Sequence, residues 1–139
     1  MSSSTQTTRQ LLRQWLLADE AVRTATDGAV FGAHLNSADA GTVLKGTPLV
    51  VIDLQGGFAV YTAAVQDQDF DVWCYSKMSL DKAAEVYDLC FARLQGECIK
   101  VGNVDMCGVT REVARPIDGF HDGMMAWYVR GRWTLKAVS

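Results

Sequence analysis

Residues 69–96 read DFDVWCYSKMSLDKAAEVYDLCFARLQG, and the hydrophobic period changes once along them. Phe70, Val72 and Cys74 alternate with Asp71, Trp73 and Tyr75, the two-residue repeat of a strand rich in aromatic and β-branched side chains. From Leu80 the repeat lengthens. Leu80, Ala83, Ala84, Tyr87, Cys90, Phe91 and Leu94 fall on one helix face. Ser79 is placed to cap the first turn, Asp81 suits the positive N-terminal end, and Gly96 suits the helix exit. A strand, a tight link and an amphipathic helix that must cover the sheet set the frame for the rest of the chain.

Working outward, the segment before this unit holds the first clear strand, LVVIDLQ at 49–55, led by Pro48 and ended by Gly56-Gly57. Further back, Leu11, Leu12, Trp15 and Leu16 form an apolar stripe on a helix from about Thr8 to Leu17. Asp19 reads as a fresh N-cap for a short second helix, with Val22 and Ala25 inward and Asp27-Gly28 ending it. Val30 and Phe31 form a brief strand or anchor a loop. Residues 1–7 read as a mobile tail, and 32–47 and 56–66 as long loops.

Past the central helix, Ile99–Val101 and Val104–Ile117 read as strand, interrupted at Gly102-Asn103 and Gly108. The turn GFHDG at 119–123 leads to a last strand over 124–138. There Met125, Trp127, Val129, Trp133 and Leu135 point one way, and Tyr128, Arg130, Arg132, Thr134 and Lys136 the other. Gly131 interrupts the apolar side, which implies a bulge or a close helix contact. The order is αα–β–β–α–β–β: a single α+β domain over 1–139, with an antiparallel sheet of about four strands and helices on one face.

The totals agree with one domain. At 139 residues, roughly two thirds of the unfolded surface is buried on folding, so a core forms without staples. A formal charge of −3 argues against a protein that grips nucleic acid, which needs a basic patch or stripe. The four cysteines contain no CxxC pair, and Cys74 and Cys90 lie on apolar faces as small core residues. The opening MSSSTQTTRQ lacks the basic-then-apolar pattern of a signal peptide, and no apolar run approaches the ~20 residues that span a bilayer.

Chemistry-bearing motifs are missing. There is no GxxxxGK[ST], GxSxG, HExxH or EF-hand loop, and Gly56-Gly57 has no dinucleotide fingerprint around it. His34 and His121 are the only histidines, both in predicted loops and far in sequence from a second ligand, so neither a metal site nor a cofactor is expected. An enzymatic or ligand-binding alternative would need a pocket under loop 32–47 in which His34, Asp53 and Cys74 converge.

One charged pattern stands out. Asp67, Asp69 and Asp71 project from one strand face about 6.8 Å apart, and like charges so placed repel unless solvated or opposed by cations. Arg130, Arg132 and Lys136 on the polar side of the last strand are candidates to oppose them, which would make the row structural. Alternatively the row serves a subunit contact, with Arg111 and Arg115 offering the complementary surface. Phe58 and Tyr61, two aromatics in a loop, either fold back on the core or meet a neighbouring chain.

The ordered pieces LLADEAVRTATDGAVF (16–31), PLVVIDLQGG (48–57), QDFDVWCYSKMSLDKAAEVYDLCFARL (68–94) and VTREVARPIDGFHDGMMAWYVRGRWTL (109–135) resemble the tail-terminator, or tail-completion, proteins of long-tailed bacteriophages. The resemblance covers nearly the whole chain through order and spacing; loop 58–66 and the acidic row are not hallmarks of that family. It implies a non-enzymatic virion protein that assembles with itself into a ring, commonly a hexamer, on the head-proximal end of the tail tube. Such a ring stops tube polymerisation and meets the head connector. DNA passes through its lumen without specific binding, and an acidic chain suits that, since neutralising phosphates is what creates DNA affinity. A head-completion or stopper protein of the neck is the nearest alternative. Assembly would occur in the host cytoplasm with no membrane involved.

Overall fold

Four long strands built on alternating sequence form the body of the sheet, and three helices cover one side of it. The computed structural model describes residues 12–31, 47–55, 68–95, 98–99, 107–123 and 125–138. The helices are α1 (residues 12–17), α2 (Glu20–Thr26) and α3 (Leu80–Leu94). The strands are β1 (Val30–Phe31), β2 (Leu49–Gln55), β3 (Gln68–Ser76), β4 (Cys98–Ile99), β5 (Cys107–His121) and β6 (Ala126–Val138). They form one sheet in the order β1-β2-β3-β6-β5-β4. Every pairing is antiparallel except β1 with β2. The expected α+β architecture is present, widened by a two-residue strand at each edge.

The alternation in β3 sorts its side chains as the sequence requires. Phe70, Val72 and Cys74 enter the main core with Val50 and Ile52 of β2 and Val129, Trp133 and Leu135 of β6. Burying side chains of this size contributes about 1.5–3 kcal/mol each, which makes this layer the dominant source of stability. Onto it α3 lays Ala83, Val86, Tyr87, Cys90 and Leu94, all buried. Val86 joins them although it lies off the stripe read from the sequence. Ser79 caps α3 as expected, its hydroxyl accepting the Lys82 N–H at 3.0 Å. Leu12 and Leu16 of α1 reach the same core.

A reciprocal clasp fixes α1 to the end of α3. Trp15 Nε1 donates to the Arg93 carbonyl at 3.0 Å, and Arg93 Nε donates to the Trp15 carbonyl at 2.8 Å. The guanidinium lies 3.7 Å over the indole ring, a cation–π contact. Asp19 occupies the N-cap of α2 without a side-chain cap bond, and the helix ends where Asp27 adopts a left-handed φ of 52° followed by Gly28 at 81°.

Several sequence expectations change in the second half of the chain. Gly108 does not interrupt a strand: β5 runs continuously from Cys107 to His121, with register shifts between Glu112 and Ala114 and between Ala114 and Ile117. Two extra-residue irregularities absorb Val113, Arg115 and Pro116, the last being a residue that cannot donate to a ladder. Met125 belongs to the turn rather than to the strand, with φ of 50° and 62% exposure. Of the two readings of Gly131, the close helix contact is the observed one, since it faces Tyr87. Loop 32–46, residues 56–67 and the tail at 1–7 lie outside the described residues.

Candidate functional site

The register places the charged residues of β2, β3, β5 and β6 in transverse rows on the face of the sheet away from α3. Asp53, Asp71, Arg132 and Ala114 form one row; Asp69, Thr134 and Arg111 form the next. Asp71 is buried, and Arg132 grips it with a two-point fork, Nε to Oδ1 at 2.9 Å and Nη2 to Oδ2 at 3.3 Å. This pairing holds the Arg132 guanidinium proton more tightly than usual, chiefly through the hydrogen bond to Asp71. Asp53 sits directly opposite Asp71, so Arg132 offsets a like-charge neighbour pair in the middle of the sheet.

Of the cations expected to oppose the acidic row, Arg132 does so. Arg130 does something else. Its guanidinium lies 5.5 Å over the Trp73 ring, one row nearer the aromatic end. Asp69 and Arg111 are exposed and flank Thr134 on either side. Arg115 is exposed in the second irregularity of β5, where it has no β6 partner. Phe58, Tyr61 and Asp67 lie outside the described residues, as does His34.

The same face becomes apolar towards the other end of the strands, which the alternation alone did not suggest. Leu49, Val51, Tyr75 and Ala126 are buried there in a second cluster, with Phe31, Trp73 and Tyr128 packed against it. Trp73 stacks on Tyr75 at 5.8 Å, Trp73 meets Tyr128 at 5.3 Å, and His121 packs edge-on to Tyr75 at 6.0 Å. Burial raises the Tyr75 hydroxyl pKa above its ordinary range, assisted by the neighbouring Tyr128. The turn end of the β5–β6 hairpin is apolar too: Phe120 and Trp127 pair across the strands at 5.0 Å and are both partly exposed. Aromatics beside a hydrophilic turn were the only sequence signal for this tip.

On the helix side, α3 and the bulged part of β5 leave an open cleft of about 350 Å³. Ala84 and Phe91 line one wall, Pro116 and Val129 the other, with Asp88, Glu112 and Asp118 at its edges. Tyr87 organises its inner end. Its hydroxyl donates to Glu112 Oε2 and accepts from Trp133 Nε1 at 3.0 Å. Burial, then the bond to Glu112, pushes the Tyr87 pKa well up. No expectation from sequence placed a site here, because the two bulges that bring Glu112 and Asp118 to the cleft leave no periodic signature.

Asp53 and Cys74 project from opposite faces of the sheet, so the convergent pocket required by the enzymatic alternative does not form from them. Cys74 is sealed in the core against Cys90, and burial followed by that contact raises its thiol pKa. Among the described residues no group of three or more histidine, cysteine or carboxylate side chains is placed to hold a metal ion, and no helix is long and apolar enough to cross a membrane.

No family model and no curated protein matches the chain. Solved structures give a fold likeness. A chain of the virion of a native gene transfer agent particle superposes with a TM-score of 0.65 and 13% sequence identity, over 93% of this chain and 92% of that one. At that identity the likeness is one of fold, and it spans essentially the whole of both chains.

Proposed function

We propose that this chain is a non-enzymatic structural protein of a virion, and within the virion a tail terminator. In that role it assembles as a ring, a hexamer, on the head-proximal end of the tail tube. There it stops tube growth and presents a joining surface to the head connector. The observation that carries the reading is the fold shared over 93% of this chain with a chain of a gene transfer agent virion. The ordered resemblance of its sequence segments to tail terminators supports a place in the neck of a tailed particle. A chain with a net charge of −3 lining a lumen lets DNA slide past, because its carboxylates outnumber the cations that would displace phosphate counterions.

Purified protein added to polymerising tail tubes tests this. A terminator binds one end, fixes tube length and is seen by electron microscopy as a terminal ring. A protein that leaves tube length unchanged and binds isolated head connectors is a stopper or head-completion protein. One that binds neither tube nor connector overturns the proposal.

A further inference from the structure

We propose that the α3–β5 cleft receives Arg115 of a second copy of this chain; this rests on the self-assembling reading above and assigns its contact. Three observations converge. The cleft has apolar walls, and Asp88 and Asp118 are exposed at its edges. Among the described residues, neither carboxylate has an ion pair or hydrogen bond and no cation lines the cleft. Arg115, on the outermost long strand, is exposed, has no partner among the described residues and does not line the cleft of its own chain.

The chemistry of each half suits the other. An arginine enters such a cleft with its methylene stem against Phe91, Pro116 and Val129 and its guanidinium between carboxylates, where a planar fork pairs better than an ammonium. Glu112 contributes less, because its Oε2 already accepts from Tyr87. Of the other arginines on the sheet, Arg132 is held by Asp71 and Arg130 lies over the Trp73 ring. Arg111 has Asp69 two strands away on its own face. The bulge in β5 therefore does two things at once. It spoils the strand for edge-to-edge pairing and frees one arginine to reach outward. Under the ring reading above, each copy gives its Arg115 to the next, a head-to-tail contact that closes when the rotation allows.

A charge exchange between two variants tests the contact in the full chain. Arg115→Glu makes both patches acidic, and the double variant Asp88→Arg/Asp118→Arg makes both basic; all three sites are exposed, so circular dichroism of each variant is expected to match the parent. In native mass spectrometry and sedimentation up to millimolar protein, the parent is expected to form a closed oligomer. Each variant alone is expected to lose about thirtyfold or more in self-association. An equimolar mixture regains the oligomer with the two variants alternating, since every contact is then oppositely charged. A parent that assembles while either variant alone assembles equally well, or variants whose mixture stays dissociated, overturns the Arg115 contact and leaves the ring standing. A parent that is monomeric throughout, alone and with tail tubes, overturns both.

Discussion

Gly131 of β6 lies against Tyr87 of α3, so closely that a Cβ at residue 131 would sit 1.7 Å from the tyrosine hydroxyl oxygen. The phenol can occupy the middle of the sheet only because that strand position has no side chain. Buried there, it hydrogen-bonds Glu112 of β5 and Trp133 of β6, so one glycine lets a helix side chain tie two strands together.

Gly131→Ala is therefore expected to destabilise the protein by about 1–3 kcal/mol, as overpacking of a tight core does. Tyr87→Phe in the same background restores little, because ring atoms Cζ and Cε1 would still lie 2.5 and 2.7 Å from the new Cβ. Denaturant unfolding of the single and double variants measures both effects. An alanine variant as stable as the parent would show that the helix shifts freely over the sheet.

Alkaline pH should unfold the chain early. Burial raises the Tyr87 and Tyr75 pKa values above the ordinary value near 10, whereas the unfolded hydroxyls ionise there. A raised folded pKa means stability that is complete below about pH 10 and is lost as pH climbs beyond it. The Tyr87→Phe variant is expected to lose less on going from pH 9 to pH 11, after an initial cost of about 1–3 kcal/mol from leaving Trp133 Nε1 unpartnered. Unfolding free energy against pH, with tyrosinate absorbance followed in parallel, reads the difference.

The Asp71–Arg132 fork predicts an asymmetry. Arg132 is half-exposed and finds water if Asp71 becomes Asn, but Asp71, with 3% of its side chain exposed, is stranded as a buried carboxylate if Arg132 becomes Gln. Arg132→Gln should thus cost more than Asp71→Asn. Equal costs at neutral pH in chemical denaturation would mean that water reaches Asp71.

Cys74 and Cys90 are fully buried and in mutual contact, with the Cys74 thiol held protonated by its surroundings. Both are expected to resist a thiol-specific reagent in the native protein and to react at the rate of global unfolding. Mass spectrometry of timed labelling checks this. Rapid native labelling at either residue would require α3 to lift off β3 far below the global unfolding free energy.

Much of this molecule is written in period and punctuation. The two-residue repeat of 70–75, the helical repeat from Leu80, the Ser79 cap and the LVVIDLQ strand appear where the sequence puts them, since each depends on neighbours within a turn or a strand. Gly131 was legible as an anomaly, and the structure chose between its two explanations. The strand register was not legible. It sets Asp71 beside Arg132 across 61 residues of chain and sends Arg130 to Trp73 instead of to an aspartate.

The sequence by itself determined the α+β class, the order of the main elements and the face that each turns to the core under α3, because these follow from local periodicity and the need to hide hydrocarbon from water. Only the tertiary structure decided which charges are internal and which are left for others. That choice was made by strand pairing and by two bulges in β5, which turn on contacts between residues far apart in the chain and leave no local trace.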